Sequence, residues 1–158
     1  MSEEEKRFYQ RDLTRKDNYS LNQTAKKAGV KNFDKFHNAG YKGLYGGETA
    51  NDIAKRKGLR YREDILDNMG SVELAANLFR ITQTDEKLKK DNIKGENNAN
   101  KAHYKIGKNI REVIRTKVNF YEIHLEASRL LFSSREILKD TPDSRYPVYF
   151  FYLYTNFF

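Results

Sequence analysis

The clearest periodicity in the chain falls on SVELAANLFRI, residues 71–81, where Val72, Ala75 and Phe79 share one side of a helix and Leu74, Leu78 and Ile81 lie beside them. So wide an apolar arc needs neighbours on more than one side, and Ala75 and Ala76 leave room for a second backbone at its centre. Ser71 follows Gly70 and reads as the N-cap, with Glu73 complementing the positive helix end. Leu88 continues the spacing, which predicts one long helix to about Asn92. Other helices surround this hub. One is expected from about Leu21, capped by Ser20 with Gln23, to Gly29; before it the pattern is poor, and residues 1–16 read as a loosely packed or fraying helix within an N-terminal segment of residues 1–17. A short helix over Val30 to Phe36 carries Phe33 and Phe36 on one face, with Asn32 as a candidate cap. Thr49 and Asp52 open a further helix as a capping box, Ile53 anchors it and Gly58 closes it. Glu63 to Asn68 reads as a short helix with Ile65, Leu66 and Met69 inward, ended by Gly70. After Gly95 a second strong helix runs from Glu96 to Lys117, with Ala99, Ala102, His103, Ile106, Ile110, Val113 and Ile114 at intervals of three and four. The expected fold is all-α, a small multi-helix domain.

One stretch breaks the helical pattern. NAGYKGLYGGET places Gly40, Gly43, Gly46 and Gly47 among Tyr41, Leu44 and Tyr45. Glycine is costly inside a helix and useful where a backbone turns or approaches another closely, so this reads as an ordered loop packed on the next helix. A P-loop requires lysine directly after its last glycine, and Glu48 stands there instead. The dinucleotide fingerprint fails too, for want of a preceding strand and the right glycine spacing.

The 158 residues allow one domain with appendages and a modest core, and 38% hydrophobic with 33% charged residues describe a water-soluble chain. Without cysteine there is no disulfide framework, thiol nucleophile or thiolate metal site. MSEEEKRFYQRD lacks an apolar signal-peptide region, and no run reaches eighteen apolar residues, so a cytoplasmic protein is expected and a membrane partner is not. The net charge of +8 points to partners with negative surfaces, nucleic acid first; solubility is the plain alternative. That charge is uneven. Residues 1–118 hold 26 Lys or Arg against 17 Asp or Glu, whereas residues 119–158 hold 4 against 5 and 11 of the 21 Phe and Tyr, which marks a boundary near Val118.

Two basic groups stand out within the helices. Lys55, Arg56, Lys57, Arg60 and Arg62 form the densest cluster, at a helix end where basic residues also complement the dipole. The order of residues in ETANDIAKRKGL resembles the first helix and turn of helix-turn-helix proteins. Lys101, Lys105, Lys108 and Arg115 run down one face of the Glu96 helix, with Arg111 beside them and Glu112 in the middle. Either group can meet backbone phosphates or simply be solvated. His103, Asn97, Asn98 and Asn100 read as interfacial and surface groups that can also reach a ligand or base edge. Catalytic candidates are missing. Glu63, Asp64 and Asp67 lack a matching histidine, His37, His103 and His124 lie far apart in sequence, and Ser71 has no base beside it, so no enzyme, metal or cofactor is expected.

The runs KNFDKFHNAGYKGLYGGETANDIAKRKGL, EDILDNMGSVELAANLFRITQT and KLKKDNIKGENNANKAHYKIGKNIRE closely resemble the C-terminal half of the DNA damage-inducible protein D family of bacteria, over residues 18 to 117. The matching positions include Gly40, Gly43, Gly46, Gly47, Gly58 and Gly70. The resemblance implies an accessory role in the SOS response, with modulation of recombinase-coated single-stranded DNA; it brings no catalytic residue. A regulator acting on protein partners, like a phage antirepressor, and a truncated remnant without activity are the alternatives. The resemblance implies domains of 18–118 for the helical region and 119–158 for a tail, with an antirepressor-type N-terminal domain expected to be absent. From NFYEIHLEASRLLF onward the chain departs from the family pattern. Leu125 to Leu138 reads as an amphipathic helix and Tyr146 to Phe158 as a nearly all-aromatic end, expected to be frameshifted or fused.

Overall fold

A computed structural model describes residues 2–61 and 63–132, with side chains of the last helix as far as Thr116. The elements are α1 (Glu3–Lys27), α2 (Phe33–Leu44), α3 (Ala50–Arg56), a 3-10 turn (Leu66–Asn68), α4 (Ser71–Lys90) and α5 (Glu96–Phe132), so the described chain is all-α. It divides into two compact units, residues 1–111 and 112–158. In the second, Thr116 donates its hydroxyl to the carbonyl of Glu112, 2.8 Å away. The aromatic end at 146–158 lies outside the described residues.

α1 begins eighteen residues before the helix that periodicity predicts, at Glu3 rather than Leu21. Two polar devices account for it. Ser2 and Glu5 close a capping box over three acidic first-turn residues, and Arg11 and Arg15 pair with Asp67 and Asp64 at 3.0 Å. Apolar spacing registers neither. Thr49 and Asp52 form the expected capping box of α3, and Ile53 is fully buried behind it. Gly58, at φ 67, ends that helix with its N–H on the carbonyl of Lys55.

Three local expectations are corrected. Gly70, not Ser71, is the N-cap of α4: it has the extended backbone of a cap and its carbonyl takes the N–H of Leu74 at 2.9 Å. Ser71 is already helical, and its hydroxyl donates to Glu3 at 3.0 Å. The segment 63–68 holds only a 3-10 turn, because the Asp64 carboxylate captures the N–H of Leu66. Gly40 and Gly43 lie inside α2 and not in a loop; only residues 45–49 turn. The helix tolerates them because it lies almost backbone to backbone on α5. A Cβ on Gly43 would strike the Tyr104 carbonyl and come within 3.1 Å of the Gly107 Cα, and one on Gly107 would come within 2.7 Å of the Gly40 carbonyl. The partner of the glycine stretch is therefore α5, where α3 was expected.

The first unit is built from two pairs of helices. α1 and α4 run in the same direction: Glu3 meets Ser71 at one end, Ser20 meets Asp85 further along, and Ala28 accepts the N–H of Gly95 beyond the other. α2 and α5 are parallel too, with Glu96 bonding the backbone at Lys31 and Asn32, His103 bonding Phe36, and Arg111 bonding Leu44. Between the pairs lies an apolar core of Leu21, Ala25, Val30, Phe36, Ile81, Leu88, Ala99 and Ala102. α4 buries a different stripe from the one its apolar residues suggest. Leu74 and Ile81 face inward with Glu73, Asn77, Arg80 and Thr84, while Val72, Ala75 and Phe79 stay exposed.

Candidate nucleic-acid interface

The basic cluster around α3 is divided by its own acids. Arg56 forms a fork with Glu48, Nε to Oε1 at 2.9 Å and Nη2 to Oε2 at 3.0 Å. Lys57 donates to Glu73 Oε2 at 2.8 Å and to the Asn68 carbonyl at 3.2 Å. Lys55 and Arg60 are exposed, and Arg62 lies outside the described residues. Two of the five cations thus already hold the α3 region to its neighbours.

The row on α5 is different. Lys101, Lys105 and Lys108 are exposed at helical spacing along one face, and Arg115 follows on the same helix in the second unit, also exposed. Arg111 leaves the row: it is half-buried, donates to the Leu44 carbonyl at 3.2 Å, and lies against Gly46, where a Cβ would come within 2.8 Å of its guanidinium carbon. It caps the C-terminus of α2 from outside, where four carbonyls lack helical partners. Gly46 and Gly47, at φ 67 and 111, turn the chain there.

Beneath these surfaces lies a polar network that sequence reading passed over. From Lys57 it runs to Glu73, which accepts from Tyr45 at 2.8 Å; Asn77 donates to Tyr45 at 2.8 Å and accepts from Arg80 Nη2 at 3.1 Å. Arg80 Nη1 meets His103 Nε2, and His103 Nδ1 donates to the Phe36 carbonyl at 3.0 Å. These contacts select the His103 tautomer, since Nε2 must accept from a guanidinium. Arg80 is 1% exposed and, among the described residues, has no carboxylate in contact; neutral acceptors and the Tyr41 ring, 4.8 Å from its Cζ, hold the charge. Burial and the neighbouring Arg80 push His103 well below the usual imidazole range, and the same causes bring His37 down to about 4. The two rings, remote in sequence, lie 6.2 Å apart. Burial also pushes the Tyr45 phenol up.

With both imidazoles neutral and Arg80 sealed, the network locks α2, α4 and α5 in register. Two sequence signals pointed to it: an arginine and an asparagine inside the otherwise apolar hub helix, and the tyrosines interleaved with the glycines. Asn100 is a further buried polar residue, and neither its amide nitrogen nor its oxygen has a partner. Asn97 and Asn98 are exposed. Among the described residues no cluster of His, Cys, Asp and Glu is placed to hold a metal ion, and no helix is long and apolar enough to cross a membrane.

The family profile of the DinD C-terminal domain matches residues 1–125. DNA damage-inducible protein D of Escherichia coli (strain K12) is 46% identical over 117 residues, a stretch that covers 72% of this chain and 43% of that protein. The chain thus matches less than half of its relative's length. No solved structure matches it significantly.

Proposed function

The chain belongs to the DNA damage-inducible protein D family, and from that premise we propose that it is a non-enzymatic accessory protein of the bacterial SOS response, acting in the cytoplasm on recombinase–DNA filaments or on the DNA backbone. The observation that carries this reading is the exposed lysine row on α5, which has the spacing of a helix face that tracks phosphates. Because Arg56, Lys57 and Arg111 are occupied within the fold, Lys101 and Lys105 are the better candidates for contact. The buried, neutral imidazoles favour a packing role over acid–base chemistry.

The test is capture of a host recombinase by the full chain, with and without single-stranded DNA. Retention of the recombinase-coated strand is expected. Failure to retain the strand, the recombinase or their complex would sink the proposal. A second reading, regulation through protein partners, draws on the exposed row of Val72, Ala75 and Phe79 on α4, since a contiguous apolar face favours protein contact over phosphate contact. Capture of recombinase without DNA, insensitive to salt, is the outcome that favours it.

A further inference from the structure

We infer that the first unit is one helical hairpin used twice, and that the end where its two turns meet binds duplex DNA, each turn taking the phosphate backbone of one strand. The inference rests on the reading that the protein acts on DNA and adds a duplex-binding surface to the exposed row on α5.

The repeat is visible in the chain and again in the fold. KKAGVKN at 26–32 recurs as KKDNIKG at 89–95, and in the same register Ala39, Tyr41 and Lys42 recur as Ala102, Tyr104 and Lys105. The hydrogen bonds that end the two first helices recur at matching positions. α1 closes with the N–H of Val30 on the Ala25 carbonyl and that of Gly29 on the Lys26 carbonyl, both at 3.0 Å; α4 closes with Ile93 on Leu88 at 3.1 Å and Asn92 on Lys89 at 3.2 Å. Gly29 and Asn92, which reverse the chain, take φ 95 and 45, a region that glycine and then asparagine enter most readily. Val30 and Ile93 then pack on the same core. Since α1 runs with α4 and α2 with α5, the hairpins α1–α2 and α4–α5 are related by an approximate two-fold axis along the bundle, which brings both turns to one end. They are joined there: Gly95 donates to the Ala28 carbonyl at 2.7 Å, and Glu96 accepts from the N–H groups of Lys31 and Asn32.

That end is basic on both sides of the axis. Lys26, Lys27 and Lys31 from the first turn and Lys90 and Lys94 from the second are exposed; Lys94 donates to the Lys27 carbonyl at 3.4 Å, which positions its charge without neutralising it. Most acids nearby are engaged. Asp85 holds Lys89, Asp91 holds Lys87, and Glu96 spends one oxygen on two backbone N–H groups, with Lys31 and Lys35 close enough to help hold its pKa low. Asp34 and Glu86 also stand exposed, one turn back from the lysines. At the far end of the bundle the balance is reversed, with Arg11, Arg15, Arg56 and Lys57 tied to carboxylates and Glu3, Glu4 and Glu5 exposed. A charge distribution polarised in this way orients the lysine end toward a polyanion. Lysine at a helix C-terminus also complements the dipole, which accounts for Lys26, Lys27 and Lys90 but not for Lys31 and Lys94 beyond the helix ends.

Two features select a duplex. Its antiparallel strands are related by local two-fold axes, so paired lysine sets can meet equivalent phosphates, as symmetric dimers meet their half-sites. Neither turn offers an exposed aromatic ring for an unstacked base; Phe33 packs against the core.

The experiment is fluorescence anisotropy of a short labelled duplex and of oligo-dT with the full 158-residue chain across a salt series. Lys27→Gln with Lys31→Gln in one turn, and Lys90→Gln with Lys94→Gln in the other, should each lower the duplex slope of log affinity against log salt by about 1.8, since each phosphate contact on a duplex contributes roughly 0.9. The four changes together should lower it by about 3.6, and the oligo-dT slope should stay as it is. Lys6→Gln with Lys16→Gln, on the first half of α1, is the control and should leave the duplex slope unchanged. Circular dichroism establishes that each variant is folded. A slope that responds to one turn only, to neither, or equally to the control pair overturns the two-turn surface while DNA binding stands. Equal loss on oligo-dT overturns the duplex assignment. Capture of recombinase-coated strand without any duplex binding overturns the surface and leaves the functional proposal; loss of all three ligands overturns both.

Discussion

At the scale of single residues, the unusual group is Arg80, a guanidinium held in the core by an imidazole, an amide and an aromatic face instead of a carboxylate. That arrangement works only while His103 and His37 are neutral, because a second positive charge would face the first across a few ångströms in a poorly solvated site. Both histidines have folded-state values below the unfolded one near 6.5, so the unfolded chain binds protons first on acidification. Their contribution is fully present above about pH 6.5 and is lost progressively toward the His37 value of about 4. For His37 alone it amounts to about 3 kcal/mol at neutral pH. Urea denaturation at pH 7.5, 6, 5 and 4.5 should show falling stability across this window, and His37→Gln, which keeps an N–H for Asn22, should flatten the curve. A pH-independent midpoint from 7.5 to 4.5 would contradict the assignment. Asp52 and Glu96, held low by Thr49 and by the backbone at Asn32 and Lys31, begin to lose their contributions only near the acid end of the series, so the fall between pH 6 and 5 reports the histidines.

At the scale of elements, the same glycine means opposite things in different places. Replacing an exposed helix-interior glycine by alanine ordinarily stabilises by up to about 1 kcal/mol. Gly43→Ala and Gly107→Ala should instead destabilise by 2 kcal/mol or more, because the new methyl drives α2 and α5 backbones apart. Gly70, whose added Cβ would meet nothing within 4 Å, marks the contrast: Gly70→Ser supplies a capping hydroxyl at φ −70 and should stabilise α4 by a few tenths of a kcal/mol. Thermal unfolding of the three variants checks the pattern. The contrast also explains how much of the fold was legible. Helices whose ends carry capping chemistry, at Thr49 and Asn32, can be read from short-range rules. The interior of α2 cannot, since the glycine-rich stretch becomes helical only against Gly107, sixty-four residues beyond Gly43; an unexplained glycine inside a well-formed helix was the available clue. α1 was legible only in part: its first half reads as a fraying helix, because the ion pairs of Arg11 and Arg15 to Asp67 and Asp64 that hold it leave no apolar period.

For the molecule as a whole, the surplus of positive charge has to be divided between cations that build the fold and cations that face outward, and charge density along the sequence does not make that division. The densest cluster, at residues 55–62, includes Arg56 and Lys57, both tied to carboxylates, whereas the sparser lysines of α5 stay on the surface. The candidate interface was thus legible as a set of basic helices and illegible as a choice between them, because Glu48 and Glu73 reach their partners only after the chain has folded. Stability and binding should separate along this line. Lys57→Met leaves the Glu73 carboxylate, 6% exposed, with the Tyr45 hydroxyl but no cation, and should cost about 3 kcal/mol. Glu73→Gln in the same chain removes the stranded charge and should recover part of that loss, a coupling that a double-mutant cycle in urea measures. Lys101→Gln with Lys105→Gln should stay within about 0.5 kcal/mol of the parent in stability while weakening oligo-dT binding. If Lys57→Met is as stable as the parent and instead loses DNA affinity, the division of charge drawn from the folded contacts is wrong, and the α3 cluster becomes the interface.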